Sequence, residues 1–159
     1  MMVSRWHLLH LPVTLQEKPG QWGWVENVSI RWPEGVLEGI GVRYGFARCY
    51  IAAANGALTV TRMGIRVRQE QSLEKHSHRW WKMFHHQEVL MNQPVWAQNG
   101  ELLGRITDVL IDEDSLVVHD LVVSRGILED LLHGALLVSR REFEIDSDGR
   151  IKISPHRAV

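Results

Sequence analysis

The chain has 159 residues, 45% of them hydrophobic and 23% charged, with a formal net charge of −1. That balance is too apolar for a disordered polymer, and too neutral for a nucleic-acid protein that carries basic charge over its whole surface. No run of about 18 apolar residues exists to span a bilayer, and the lone cysteine, Cys49, excludes an internal disulfide or a multi-cysteine metal site.

From the amino terminus, Met1 to Gln16 carries His7, His10 and Pro12 where a secretory signal needs an unbroken apolar core. A cytoplasmic protein without membrane insertion is expected, with Cys49 as a buried thiol. Trp6 to Val13 alternates loosely and reads as a lead-in strand closed by Pro12. The long strand Trp22 to Trp32, the turn Pro33-Glu34-Gly35 and the return Val36 to Arg43 make a hairpin. Ala47 to Ala53 reads as a shorter strand, and Asn55-Gly56, both tolerant of positive φ, predicts a hairpin turn pairing it with Leu58 to Thr61. Gly64 to Arg68 then closes the sheet. Short strands punctuated by turns in a unit this small predict a closed barrel.

Ser72 to Glu88 lacks Gly and Pro and carries Leu73, Trp80, Trp81 and Phe84 at roughly helical spacing. It reads as a linker, helical from Glu74 to Glu88, with Ser72 as its N-cap. A second unit starts near Val89, with strands at Val95 to Ala97, Leu102 to Ile111, Leu116 to Ser124, Ala135 to Ser139, Glu142 to Ile145 and Arg150 to Ile153. Ser147-Asp148-Gly149 reads as the counterpart of Ala54-Asn55-Gly56. Between Gly126 and Gly134, Leu128, Leu131 and Leu132 are spaced for a helical turn that covers a barrel mouth.

The halves echo each other. Shifted by 81 positions, Gly23, Val28, Ile30, Val36, Val42 and Gly45 fall on identical residues, Gly104, Val109, Ile111, Val117, Val123 and Gly126. One small β unit written twice is the natural reading, divided as residues 1–71, a linker 72–88 and residues 89–155. Residues 1–75 hold nine Lys/Arg and six Asp/Glu, and residues 76–159 hold nine and thirteen, so the halves carry opposite charge and attract.

The stretch GELLGRITDVLID, its acidic turn, the strand LVV and the closing Gly126 resemble the PRC-barrel family. The resemblance covers Val89 to about Ile153 and, through the echo, extends to Trp6 to Arg68, where Trp22, Trp24 and Trp32 replace the usual aliphatic or charged residues of the first hairpin. It implies a small, strongly bent β-barrel that binds proteins and has no shared catalytic residues. The expected fold class is therefore all-β, two tandem PRC-type barrels joined by a short helical linker.

No nucleophile elbow, phosphate-binding glycine loop or dinucleotide fingerprint occurs, so a non-enzymatic binding or assembly module without a cofactor is expected. Its protein partner is not named by the sequence, and a homodimer is one form of it. Seven tryptophans exceed what two small cores need, which leaves two readings: they weld the two barrels and the linker together, or Trp80, Trp81, Phe84, Trp22 and Trp24 form a partner surface. One alternative is an RNA- or ribosome-associated factor using a basic face of Arg62, Arg66 and Arg68 beside Trp22 or Trp24. Another is a metal-responsive regulator through the linker histidines His76, His78, His85 and His86, against the plainer reading of a solvated helix. Asp108, Asp112, Glu113, Asp114 and Asp120 lack the spacing of a calcium loop and read as a solvated turn. Asp108, like Asn27, is expected to bond the backbone where the long strand bends.

Overall fold

The computed structural model describes residues 1–68, 73–75 and 90–154. The first half contributes β1 (Met2–Ser4), helix α1 (Arg5–Leu8), β2 (Pro12–Leu15), β3 (Lys18–Arg31), β4 (Val36–Tyr44), β5 (Ala47–Ala52), β6 (Leu58–Thr61), β7 (Gly64–Val67) and β8 (Leu73–Lys75). The second contributes β9 (Pro94–Trp96), β10 (Leu102–Asp112), β11 (Val118–Ser124), helix α2 (Ile127–His133), β12 (Leu136–Ser139), β13 (Phe143–Ile145) and β14 (Ile151–Ile153). The fold is mainly β, in two sheets ordered β6-β7-β2-β3-β4-β5-β8 and β12-β11-β10-β9-β14-β13, with β1 added to β10.

The long strands show why a simple alternation of apolar residues fails here. Val25 and Val28 are three apart yet both buried, because the pairing of β3 with β4 slips between Val25 and Asn27. A bulge of this kind lets one extra residue pass without turning the apolar face outward, and it bends the strand. A second slip lies between Ser29 and Ile30. In the other sheet the slips in β10 fall between Ile106 and Asp108 and between Leu110 and Ile111, 81 positions later in both cases. At each first bulge a side chain holds the disturbed backbone: Asn27 Oδ1 accepts from the Val28 amide at 2.9 Å and Asp108 Oδ1 from the Val109 amide at 2.8 Å. The expected backbone role of this pair is the one observed.

Gly23 and Gly104 precede these bends. A Cβ on Gly23 would lie 2.7 Å from the Arg43 carbonyl oxygen, and one on Gly104 would collide with the Ser124 carbonyl. Only glycine lets the neighbouring strand come this close. The pairing pattern recurs as well, since β2 runs parallel to β7 and β9 parallel to β14.

The halves meet where their hairpins meet. Val36 and Val117, an echo pair, form an antiparallel bridge. Leu37 N donates to Leu116 O and Val118 N to Gly35 O, each at 2.8 Å, a reciprocal exchange related by a local two-fold axis. Trp32 stacks on Phe143 at 5.9 Å, and Arg140 donates to the Glu34 carbonyl at 2.8 Å. The amino terminus crosses over: β1 pairs with β10, and Trp6 donates its amide to Asp108 Oδ1 and its indole N–H to the Thr107 carbonyl. Nearly all buried apolar residues of both sheets accordingly form one continuous cluster, Tyr50 standing apart from it. Units this small bury too little surface alone, and a shared core supplies the remainder.

Several expectations need correction. Trp6 lies in the helical turn α1 rather than in a strand, with Ser4 Oγ capping the His7 amide at 3.0 Å; the strand begins only at Pro12. Glu74 does not begin a helix. Leu73–Lys75 pairs with Cys49, Tyr50 and Ile51 of β5, because the edge of a sheet satisfies backbone groups that a short isolated helix leaves to water; the rest of the proposed linker helix lies outside the described residues. Asn55 and Gly56 do take positive φ, but their turn is a crossover, since β6 pairs with β7 and not with β5. The counterpart of Ser147-Asp148-Gly149 is therefore the Arg62-Met63 turn between β6 and β7, as β13 pairs with β14.

Candidate docking face

Where the first sheet turns tightly from β4 to β5, the second inserts α2 between β11 and β12. The expected helical turn is present, but it does not cover a core. Ile127, Leu128, Leu131 and Leu132 are 84%, 71%, 79% and 66% exposed, and no residue of α2 is buried.

The reason is the opposite side of the helix. Asp130 turns back toward the barrel, where its carboxylate accepts from the Ser124 hydroxyl and, at 3.1 Å, from the Arg125 amide. The Ser124 hydroxyl, then the Arg125 amide, hold the Asp130 carboxyl below its ordinary pKa. Arg125 donates to the Gly134 carbonyl at 3.0 Å, closing the far end. Gly126 and Gly134, with φ of 113° and 76°, make the two sharp corners that an L side chain resists. α2 is thus anchored by its polar side and turns its apolar side out, the reverse of an ordinary surface helix. The helical spacing was readable in the sequence. Its orientation depended on the Ser124 to Asp130 bond, a six-residue spacing with no familiar motif behind it.

The tryptophans divide by role. Trp22 stacks on Tyr44 at 4.5 Å and Arg150 lies 5.5 Å from the Trp96 ring centre, while Trp6 and Trp32 join the halves. Trp24 alone of the described five is both exposed, at 51%, and without such a contact. Trp80, Trp81 and Phe84 lie outside the described residues, as do His76, His78, His85 and His86. Of the basic residues, Arg66 sits on the outer sheet face with Thr14 beside it, and Pro12 pairs with Trp24, which pairs with Arg43. Arg62 lies in the β6–β7 turn and Arg68 just beyond β7, both exposed like Arg66.

A cleft of about 490 Å³ opens beside the junction of the halves, lined by Asp112, His119, Ser139, Arg140 and Arg141 among others. His119 Nδ1 is 3.0 Å from Asp120 Oδ2, and among the described residues no serine hydroxyl hydrogen-bonds to His119. Asp112 accepts from the Asp114 and Ser115 amides, the acidic turn of the sequence reading. No group of three metal-ligating residues occurs among the described residues, and no described helix is long and apolar enough to cross a membrane. Cys49 is buried, and burial pushes its thiol up to about 12.

With this geometry the comparisons agree. Residues 88–158, in the second half of the chain, match the family model of the PRC-barrel domain. No curated protein matches the chain.

Proposed function

We propose that the protein is a non-enzymatic docking module of two PRC-type barrels, in which the first is a diverged copy and the second presents α2 to a protein partner. The observation that carries this is the inverted helix: four large aliphatic side chains held outward by a polar clamp. Burying one such side chain gains roughly 1.5–3 kcal/mol, so an exposed group of four is a reserve of binding energy. The generally non-catalytic character of the PRC-barrel family, matched at residues 88–158, supports the same reading. A cytoplasmic setting fits a single reduced cysteine.

The test is Leu128→Glu/Leu131→Glu in cells. The wild-type chain should migrate in extracts as an assembly larger than its own 18.3 kDa and the variant as the free chain, with an unchanged melting temperature. Migration of both at the same size would refute the reading.

Exposed Trp24 beside Arg43, with Arg66 on the same outer face, favours a second reading, a stacking platform for single-stranded RNA. Binding would weaken steeply with salt, and Trp24→Ala would cost about 1–3 kcal/mol of affinity. Fluorescence anisotropy of a labelled oligonucleotide that shows no binding at low salt removes this reading.

A further inference from the structure

We infer that the occupant of the α2 face is a second copy of this chain, with the two helices antiparallel across a two-fold axis; this rests on the docking reading above. Ile127, Leu128, Leu131 and Leu132 span about 140° of the helix circumference at 100° per residue, one continuous stripe rather than scattered contacts. Their exposed fractions amount to apolar surface on the order of 500 Å², comparable with the largest patches on monomeric proteins. This is somewhat over half of the roughly 800 Å² that each partner contributes to a standard interface.

Charge selects the arrangement. The first turn of α2 carries exposed Glu129, and its last carries His133, with the Arg125 guanidinium bound at the Gly134 carbonyl. Two antiparallel helices set the acidic end of each against the basic end of the other and oppose their dipoles. Parallel helices would set acid on acid. An anionic membrane is a poor occupant, because exposed Glu129 flanks the stripe where a membrane-surface helix carries Lys or Arg. Self-complementarity of a single patch is what a two-fold contact requires.

The full-length chain is the test object. By size exclusion with light scattering the wild type should run at twice the 18.3 kDa chain mass, in high salt as in low. Leu128→Glu/Leu131→Glu should run at the chain mass, its self-association weakened at least ~100-fold. If that variant does not fold, Leu131→Cys replaces it: under mild oxidation it should form an interchain disulfide, and Phe46→Cys, on the matching turn of the first half, should not. A photo-reactive side chain at position 128 in cells separates the two claims. An adduct of two copies of this chain supports the inference. An adduct only with a different protein overturns the second copy and leaves the docking face. A monomer in solution with no adduct at all overturns both.

Discussion

The two halves of the molecule agree where the chain must bend and differ where it meets solvent. Both long hairpins slip register at positions 81 apart, both hold the first slip with an Asn or Asp oxygen, and both need glycine beside the neighbouring carbonyl. These positions answer to the closure of a small sheet on itself. Against them stand Glu38 and His119, an echo pair, and the tight Gly45 turn opposite the α2 insertion. Glu38 accepts from the Ser29 hydroxyl, whereas His119 lines the cleft beside Arg140. Shared positions therefore report the architecture, and the unlike ones report what each half is used for.

The strongest way to break the comparison is to ask whether the halves unfold separately. Leu8 and Leu90 are both fully buried and belong to one cluster, so Leu8→Ala and Leu90→Ala should each cost about 2–5 kcal/mol and lower a single transition in calorimetry. Two transitions, each moved by one substitution alone, would make the halves independent. Next in size are the glycines. Gly104→Ala meets the Ser124 carbonyl more closely than Gly23→Ala meets that of Arg43, so both should destabilise, by about 1–3 kcal/mol, with Gly104→Ala the larger loss in urea denaturation. Equal losses would mean that the two bends relax alike.

The smallest effect separates the two bulges electrostatically. Burial pushes the Asp108 carboxyl up, against the pull of the Val109 and Trp6 amides and of Arg5. A carboxyl raised in the folded state holds its proton more tightly there, so its contribution to stability is present below the unfolded value and is lost as pH rises through the folded one. Asp108→Asn, which copies Asn27 of the first half, keeps the amide acceptor and removes that loss. The variant should gain on the wild type between about pH 4 and pH 7, by less than about 1 kcal/mol because solvent screens a half-exposed site. Urea denaturation at the two pH values that finds no change in the difference would show that Asp108 ionises at no cost.

Much of the fold was legible because it is written in local chemistry. The hairpin turn at Pro33-Glu34-Gly35, the apolar strands and the helical spacing of Leu128, Leu131 and Leu132 all need only near neighbours. What was not legible depends on distant ones. Nothing local says that Leu73–Lys75 is claimed by the edge of β5, that Met2–Ser4 crosses to β10, or that β6 prefers β7 to β5. The candidate site falls between these cases: its leucines were visible, but Asp130 decides which way they face, and that required the Ser124 hydroxyl to be in place.

The bridge between Val36 and Val117 limits what the molecule can build. Its two hydrogen bonds exchange equivalent groups, so at this bridge each hairpin satisfies the backbone of the other. α2 has no counterpart at the turn between β4 and β5, so contacts made through it number one per chain. A molecule with one self-matching face forms pairs and stops, whereas two such faces would permit a filament.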